Sequence, residues 1–529
     1  MKTPGTEPIL SSPSDPAAGR LGDFTATPRV LPIALLGIAI GALGGFLAMV
    51  LLRLIGLCTN LFFFHRWSTA MVSPAEHTLG AWAVLVPVAG ALIIGLLARY
   101  GSERIRGHGI PEALESILIG GSRVEPRLAI LKPLSAAISI GSGGPFGAEG
   151  PIIMTGGAFG SLIAQGFHLT SAERKTLLVA GAAAGMTATF ASPLAAICLA
   201  VELLLFELKP RSFIPVALAC AAAMVTRHFV LPPGPLFPLT LALPSDFIGV
   251  AGIAGLAGCA VAGLGAGILS ALMTGSVYLF EDLFQEHLRR IHWMWWPALA
   301  GLVIGVGGLI CPAALGVGYD TLERLLSGQM ALSAVLILIA VKWSIWSFAL
   351  GSGTSGGVLA PLLMLGAALG NVEAQILPPV ALGFWPLIGM GAILGGTMRA
   401  PLTGILFAVE ITHAWDAVLP LAVAVTVAHA FSVLVMRRSI LTEKVSRRGF
   451  HVTREYAVDP LEVLFVRDVM RAPPPTDGDL PVVDGGAPIA FADETLRSAT
   501  HRMAHTGVTE MRVEIRVSPG LAVGVIALG

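Results

Sequence analysis

The chain contains one long segment twice. Residues 141–165 and 351–375 align without a gap at an offset of 210, and 11 of these 25 positions are identical. The match resumes at 191–202 and 399–410 with an offset of 208. A duplicated apolar unit is typical of membrane transporters and channels, which are often built from two related halves. The halves differ at one informative position, because Glu149 in the first corresponds to Leu359 in the second.

The composition is that of an integral membrane protein. Of 529 residues, 55% are apolar and only 12% are charged, and the mean hydropathy is +0.80. Runs long enough to cross a bilayer core, which takes about 20 residues, include 30–52, 79–98, 213–231, 248–274 and 295–311. The net charge of zero indicates no nucleic-acid partner, and the five scattered cysteines form no disulfide or metal pattern. No cofactor and no metal site are expected.

The pattern divides the chain into five regions. We predict a disordered cytoplasmic tail over 1–29, a first membrane repeat over 30–240 and a second over 241–441. A linker over 442–463 then leads to a small domain over 464–529. In that domain, residues 492–508 predict a capped amphipathic helix that starts near Asp493, and the end of the chain predicts a strand.

Positive residues outside the spans predict the orientation, since short cytoplasmic loops are enriched in Lys and Arg. They fall in three groups, which are Arg20 and Arg29; Arg99, Arg104, Arg106, Arg123, Arg127 and Lys132; and Arg437, Arg438, Lys444, Arg447 and Arg448. The chain is therefore predicted to be a multi-pass cell-membrane protein with both termini in the cytoplasm.

Three Gly/Pro clusters interrupt the apolar sequence, at 107–112, 144–151 and 353–361. Glycine permits close backbone approach and proline suits the first turn of a helix, so each cluster predicts a helix N-terminus at membrane depth. Three such termini with free N–H groups would form an anion site without a full positive charge. The alternative is that these residues only permit tight helix packing. The candidate anion-binding residues are Gly107, His108, Gly109, Ile110, Pro111, Gly147, Ala148, Gly150, Pro151, Gly357, Val358, Leu359 and Ala360.

Glu149 is the sharpest single candidate. An ionisable side chain at membrane depth costs about 3 kcal/mol or more and is a functional hypothesis by default. At a helix N-terminus its carboxylate could occupy the anion site, and protonation would release it. We therefore predict a gate that responds to pH. The alternative is a structural cap or a buried ion pair.

Three further side chains have open assignments. His108 could donate a hydrogen bond to an anion or could be a packed, hydrogen-bonded histidine. Glu202 and Glu410 occupy equivalent places in the two halves, which favours a structural role.

A hydrolase is a remote alternative. Residues 353–357 match the pattern G-x-S-x-G around Ser355, and intramembrane serine proteases use a similar glycine–serine signature. The soluble nucleophile elbow needs a strand before the serine, and this context is helical. His413 and His429 could act as a base, although nothing in the sequence positions them, so we predict no enzyme.

At its Gly/Pro clusters the sequence resembles the CLC family of chloride channels and proton/chloride exchangers, over about residues 30–445. The family's GSGIP-like, GREGP-like and GxFxP-like motifs appear as GHGIP (107–111), GAEGP (147–151) and GVLAP (357–361). The resemblance implies an all-α membrane fold of inverted repeats, with many tilted and half-crossing helices. It also implies a homodimer with one pore per subunit, chloride as the expected ion, and Glu149 as the gating residue.

Departures from the family pattern qualify this reading. His108 replaces the central serine, Leu359 the phenylalanine of the third motif, and Ala148 the arginine before the gating glutamate. The pore tyrosine appears as Leu441, which we include among the anion-binding residues. Anion selectivity is therefore open.

The expected coupling depends on the residues after Glu202. Exchangers of the best-known type carry a second glutamate where this chain has Leu203, which slightly favours a passive chloride channel gated by protonation. The alternative is a proton-coupled exchanger whose proton path uses Glu202 and Glu207. On a helix, Glu207 would face about 140° away from Glu202.

The end of the chain resembles a CBS module, a small α/β fold that usually occurs in pairs and often binds adenosine nucleotides. The matching segments are 466–470, 492–508 and 524–526. About one module is present, so a complete nucleotide cleft is not expected.

Overall fold

The computed structural model describes residues 27–118, 120–243, 250–449, 461, 464–471, 488–516 and 518–527. Most of the predicted N-terminal tail and much of the predicted linker lie outside these residues. The chain divides into a large unit over Thr25–Arg454 and a small unit that contains Glu455–Gly529.

The first half of the large unit is a run of eight helices. They are α1 (Val30–Phe64), α2 (Leu85–Tyr100), α3 (Ile110–Leu118), α4 (Pro126–Gly141), α5 (Glu149–Gln165), α6 (Ser171–Phe190), α7 (Pro193–Leu199, continued by a π-helical turn over Ala200–Leu205) and α8 (Pro210–Val230).

The second half repeats this order and adds one helix. Its members are α9 (Val250–Asp282), α10 (Trp296–Ile310), α11 (Tyr319–Leu326), α12 (Leu332–Gly351), α13 (Leu359–Glu373), α14 (Phe384–Met398), α15 (Pro401–Thr412), α16 (Val418–Val435) and α17 (Ile440–Arg447). The predicted boundary between 441 and 442 falls inside α17. Seven helical segments among the described residues are long and apolar enough to cross a membrane, and α7 with its π-helical turn, α13, α14 and α15 are shorter apolar helices.

The two halves run in opposite directions through the membrane. α1 begins on one face, which we call the N-terminal face, and its 35 residues span about 52 Å. α9, its counterpart, ends at Asp282, whose carboxylate pairs with Arg447 near the end of α17. Glu281 and Arg447 line a cleft together with Arg104, which follows the returning helix α2. α9 therefore ends on the face where α1 begins, which is an inverted repeat.

Local sequence explains where the helices begin and end. Pro126, Pro193 and Pro401 occupy the first turns of α4, α7 and α15, where a missing N–H removes no hydrogen bond. Ala191 and Arg399 are equivalent positions of the two halves, and they end α6 and α14 in the left-handed conformation. The duplication therefore extends to backbone geometry.

Glycine lets the central helices approach closely. A Cβ on Gly156 of α5 would lie 2.2 Å from the carbonyl oxygen of Gly181 on α6. The equivalent pair in the second half, Gly366 of α13 and Gly389 of α14, would clash at 2.5 Å. Each of α5 and α13 therefore packs tightly against the helix that follows it, in the core of the unit.

The small unit is α/β. It contains α18 (Val466–Val469), β1 (Ile489–Phe491), α19 (Leu496–Thr506), β2 (Glu510–Ile515) and β3 (Ser518–Ala527). β1 pairs parallel with β2, and β2 pairs antiparallel with β3. The predicted amphipathic helix is present, but it begins after Thr495 rather than near Asp493. The predicted terminal strand is β3.

Candidate functional site

The three Gly/Pro clusters meet at one point, where α3, α5 and α13 begin. A Cβ on Gly109 would lie 2.6 Å from the carbonyl oxygen of Gly150, and one on Gly150 would lie 1.8 Å from that of His108. Gly147 and Gly357 join the two halves through a pair of backbone hydrogen bonds. The sequence prediction that the clusters lead into helix N-termini therefore agrees with the structure.

Glu149 lies at the centre of this junction and is completely buried. Its carboxylate folds back over the backbone, because a Cβ on Gly147 would lie 1.8 Å from its Oε2 and one on Gly357 would lie 2.7 Å away. The N–H groups of Glu149 and Ala360 face the carboxylate, but neither makes a hydrogen bond of ordinary geometry. The carboxylate thus occupies the space between the helix N-termini, whose N–H groups and dipoles favour negative charge.

Two side chains from the second half interact electrostatically with Glu149. They are Lys342 of α12, which attracts its charge, and Tyr319 at the start of α11. Neither residue is a neighbour of Glu149 in sequence, so inspection of the chain near 149 missed both of them.

The first cluster differs from the other two because a carboxylate of the cluster itself, that of Glu112, accepts a hydrogen bond from its backbone. The Gly109 N–H donates to Glu112 Oε2 at 2.8 Å, and Arg448 pairs with the other oxygen of Glu112 at 3.1 Å. The N–H groups of Gly109, Gly147 and Gly357 are therefore already bonded within the protein, contrary to their predicted use for an anion.

His108 is 1% exposed, and neither ring nitrogen has a hydrogen-bond partner among the described residues. The alternative of a hydrogen-bonded, packed histidine is therefore not what the structure contains. A neutral imidazole always carries one N–H, so the first cluster holds a buried donor that has no partner among the described residues.

The structure reveals a second, hidden duplication. Lys132 of α4 is completely buried and donates to the carbonyl oxygens of Ile105 and Gly107, each at 2.8 Å. Lys342 of α12, the equivalent residue of the second half, donates to those of Ala314 and Gly316 at 2.9 and 3.0 Å.

Each lysine binds a Gly-x-Gly loop that leads into a short helix. Lys132 binds the loop 107–109 before α3, and Lys342 binds the loop 316–318 before α11. The signal is visible in the sequence as a G-x-G pattern at equivalent places of the two halves, 107–109 before Lys132 and 316–318 before Lys342. It was missed because Lys132, grouped with the arginines around it, was interpreted as part of a cytoplasmic loop.

Glu202 and Glu410 cap helices of the opposite half. Glu202 accepts from the N–H groups of Leu402 and Thr403 at the start of α15, at 3.0 and 2.9 Å. Glu410 accepts from those of Leu194 and Ala195 at the start of α7, at 3.0 and 2.8 Å. A carboxylate at a helix N-terminus is stabilising, so each acid joins the two halves.

Leu441 lies in the first turn of α17 and is completely buried. A tyrosine hydroxyl does reach this region from elsewhere, since Tyr278 of α9 donates to the carbonyl oxygen of Ile440. Leu359, at the start of α13, is also completely buried. Both positions present aliphatic side chains, so any anion here would rely on backbone N–H groups and His108.

The large unit has a cleft on each face. On the N-terminal face, a cleft of about 430 Å³ is lined mainly by charged residues, including Arg104, Arg106, Glu115, Glu281, Lys444 and Arg447. On the other face, a cleft of about 160 Å³ is lined by Ile55, Ser73, Tyr319 and Asp320, among others. Ile55 lies in the last third of α1, about 37 Å from its start, which sets the two clefts on opposite sides.

Comparison with known proteins identifies the family. The family model described as voltage gated chloride channel matches residues 89–433. The chain belongs to the CLC family. Among its CLC relatives, a putative chloride channel protein ClcB-like from Ralstonia nicotianae is 30% identical over 357 residues, covering 65% of this chain and 81% of the relative. The H(+)/Cl(−) exchange transporter ClcA of Salmonella typhi is 30% identical over 373 residues, covering 67% and 76%.

Solved CLC structures share the fold. A slow cyanobacterial Cl−/H+ antiporter aligns with a TM-score of 0.67 at 23% identity, covering 80% of this chain and 99% of that one. A CLC-type fluoride/proton antiporter aligns with a TM-score of 0.64 at 19% identity, covering 79% and 98%. The predicted fold class is therefore confirmed.

The structure corrects the geometry expected for Glu207. The helix does not continue to it, because Phe206 adopts the left-handed conformation with φ of 54°. Glu207 lies beyond the helix and pairs with Arg211 at 3.7 Å, so the helical-wheel angle predicted for it was wrong. Leu203, which takes the place of the glutamate of some CLC exchangers, is completely buried.

Ser355 has a buried hydroxyl partner, Ser135 of α4, at 3.1 Å. His413 ends α15 and is exposed. The CLC relatives described above carry the names of a channel and a transporter, which offers no support for the hydrolase alternative.

Proposed function

We propose that this chain is a proton-coupled anion exchanger whose anion is chloride and whose central carboxylate is Glu149. The observation that carries the proposal is the position of that carboxylate, buried between Gly147 and Gly357 where an anion would fit. The name of the 30%-identical ClcA relative supports exchange rather than the passive channel that the sequence slightly favours.

In this proposal, the carboxylate and the anion compete for the same space. Ionised Glu149 is held by helix N-termini and by Lys342. An anion arriving through either cleft displaces it, and a proton neutralises it outside the site. Each cycle of the side chain then moves a proton in exchange for the anion.

The cytoplasmic proton donor would be Glu207. It lies on the N-terminal face, since Lys175 near the start of α6 donates to Leu205 at 2.6 Å and α6 begins beside Arg29. Its side chain is 22% exposed, so water reaches it. Glu202 belongs to the same predicted proton path, but it is less accessible because both of its carboxylate oxygens accept hydrogen bonds from the first turn of α15.

A passive channel is the second candidate. Leu203 favours it, because an aliphatic side chain stands where a proton acceptor would be needed. The homodimer, the cytoplasmic location of both termini and the absence of a nucleotide site in the tail stay predictions.

The test is chloride-driven proton movement in liposomes that contain the purified protein, measured together with chloride efflux. We expect proton uptake that accompanies efflux. Glu149→Gln should keep the efflux and abolish proton movement, whereas Glu207→Gln should reduce proton movement alone. Glu125→Gln removes an exposed acid that pairs with Arg104 and serves as the control. Chloride efflux without any proton movement in the parent protein would contradict exchange and favour the channel.

A further inference from the structure

A tyrosine stands between Glu149 and the cleft on the face opposite the N-terminus. Tyr319 begins α11, and its ring edge contacts Phe237 with centroids 5.7 Å apart. The residue also lines the 160 Å³ cleft, so it borders the open side. Its hydroxyl, in contrast, is buried and has no hydrogen-bond partner among the described residues.

A buried hydroxyl without a partner calls for an explanation, because native proteins satisfy nearly all such groups. Glu149 presents the complementary problem, since both of its carboxylate oxygens are buried and neither makes a hydrogen bond of ordinary geometry to a described residue. The Gly316 N–H donates to the carbonyl oxygen of Gly143 at 3.1 Å, which holds the loop before Tyr319 against the loop that leads to Glu149, and the Glu149 charge acts on the hydroxyl. A donor and an acceptor that both lack partners thus lie near each other.

The duplication shows that this tyrosine occupies a special place. The loop 316–318 with Lys342 repeats the loop 107–109 with Lys132, and Tyr319 corresponds to Ile110. The first half therefore has an aliphatic residue where the second has a phenol. The same scaffold builds both loops, so packing alone does not require the hydroxyl.

We propose that the Tyr319 hydroxyl is the outer docking partner of Glu149, receiving the carboxylate in a hydrogen bond when an anion displaces it from Gly147 and Gly357. This inference deepens the proposed function and rests on it. It involves no covalent step: the phenol O–H donates and the carboxylate accepts, and a proton that enters the cleft from solvent neutralises the acid and weakens the bond by removing its charge assistance.

The other charges near the pair are few. Lys342 of α12 attracts Glu149, and Asp320 of α11 in turn attracts Lys342. His108, Lys132, Glu112, Lys444 and Arg448 form a separate group around the first cluster. A change at Tyr319 therefore alters the surroundings of Glu149 without altering these charges.

The test is the pH dependence of chloride transport by Tyr319→Phe in liposomes with equal pH on both sides. A charge-assisted hydrogen bond favours the ionised acid. Its loss should move the pH of half-maximal transport upward by about one pH unit. Thermal stability should not change, because the hydroxyl has no hydrogen-bond partner among the described residues in the resting structure.

Two matched variants keep the outcomes distinct. Tyr278→Phe removes another buried hydroxyl, one that donates to Ile440, and should leave the pH profile in place. In a Glu149→Gln background, Tyr319→Phe should have no effect on the profile. An unshifted profile for Tyr319→Phe, or a changed chloride affinity with no shift, would overturn the proposal. If Glu149→Gln retained the parent's pH dependence, the proposed function itself would fail.

Discussion

Gly147 and Gly357 bond to each other across the two halves of the protein. The N–H of Gly147 donates to the carbonyl of Gly357 at 3.1 Å, and the reverse bond measures 2.9 Å. This reciprocal pair brings α5 and α13 together, and the Glu149 carboxylate packs against the backbone of both glycines.

Gly147→Ala should displace the gate. Its Cβ would lie 1.8 Å from Oε2 of Glu149, and the end of a flexible side chain can move where backbone cannot. Gly147 has no positive φ, so alanine fits its backbone. The proposed function predicts slow chloride transport by the parent at alkaline pH, and we expect Gly147→Ala to raise that rate several-fold. Flux assays across acidic and alkaline pH would measure it, and an unaltered alkaline rate would argue against the expected displacement.

The matched change at Gly150 should act differently. A Cβ there would lie 1.8 Å from the carbonyl oxygen of His108, which is backbone and cannot move freely. Gly150→Ala should therefore lower expression and thermal stability rather than open the gate. Equal behaviour of the two alanine variants would contradict the distinction.

Lys342→Met should shift the pH profile, and Lys132→Met should not. Both changes remove a buried ammonium that holds two carbonyl oxygens. Each should destabilise the protein by about 1–3 kcal/mol for every unsatisfied group. Only Lys342 of the two acts on Glu149. Without it the ionised acid is less stable, so half-maximal transport should occur at higher pH. Flux measured against pH in liposomes, beside melting in detergent, separates the two effects.

His108→Ser should change the ranking of chloride against nitrate and bromide. The imidazole nitrogens are buried in the first cluster and have no partner among the described residues. A hydroxyl offers a smaller donor to the same space. Competition of the three anions for efflux would measure the ranking, and an unchanged order would assign His108 to packing.

Replacing Glu202 or Glu410, each of which caps a helix of the opposite half, should weaken the contact between the halves. Glu202→Ala and Glu410→Ala each remove two backbone hydrogen bonds at a helix start, a loss of about 2 kcal/mol. Glutamine should restore part of it. Glu207→Ala, which removes an ion pair of 3.7 Å, should leave the melting temperature unchanged. A melting temperature as high as the parent's for both cap variants would mean that these bonds do not support the contact between the halves.

Much of the fold followed from patterns that act locally. The Gly/Pro clusters predicted the starts of α3, α5 and α13 because glycine and proline constrain the backbone where they occur. The direct alignment of the two copies predicted two related halves. The sequence did not predict the roles of Lys342 and Tyr319, because their effect on Glu149 arises only when the two halves pack together. The helical-wheel prediction for Glu207 failed because the helix ends at Phe206.

If Glu149 acts as we propose, its mismatch with Leu359 gives the transport pathway a direction. A scaffold with twofold pseudosymmetry and an equivalent acid in both halves could transport equally well in either orientation across the membrane. With an acid in one half alone, the pathway has a front and a back, and its titration depends on which compartment is acidified. Vesicles with randomly inserted molecules should therefore contain two populations, and a membrane-impermeant buffer that acidifies one side would activate only one of them.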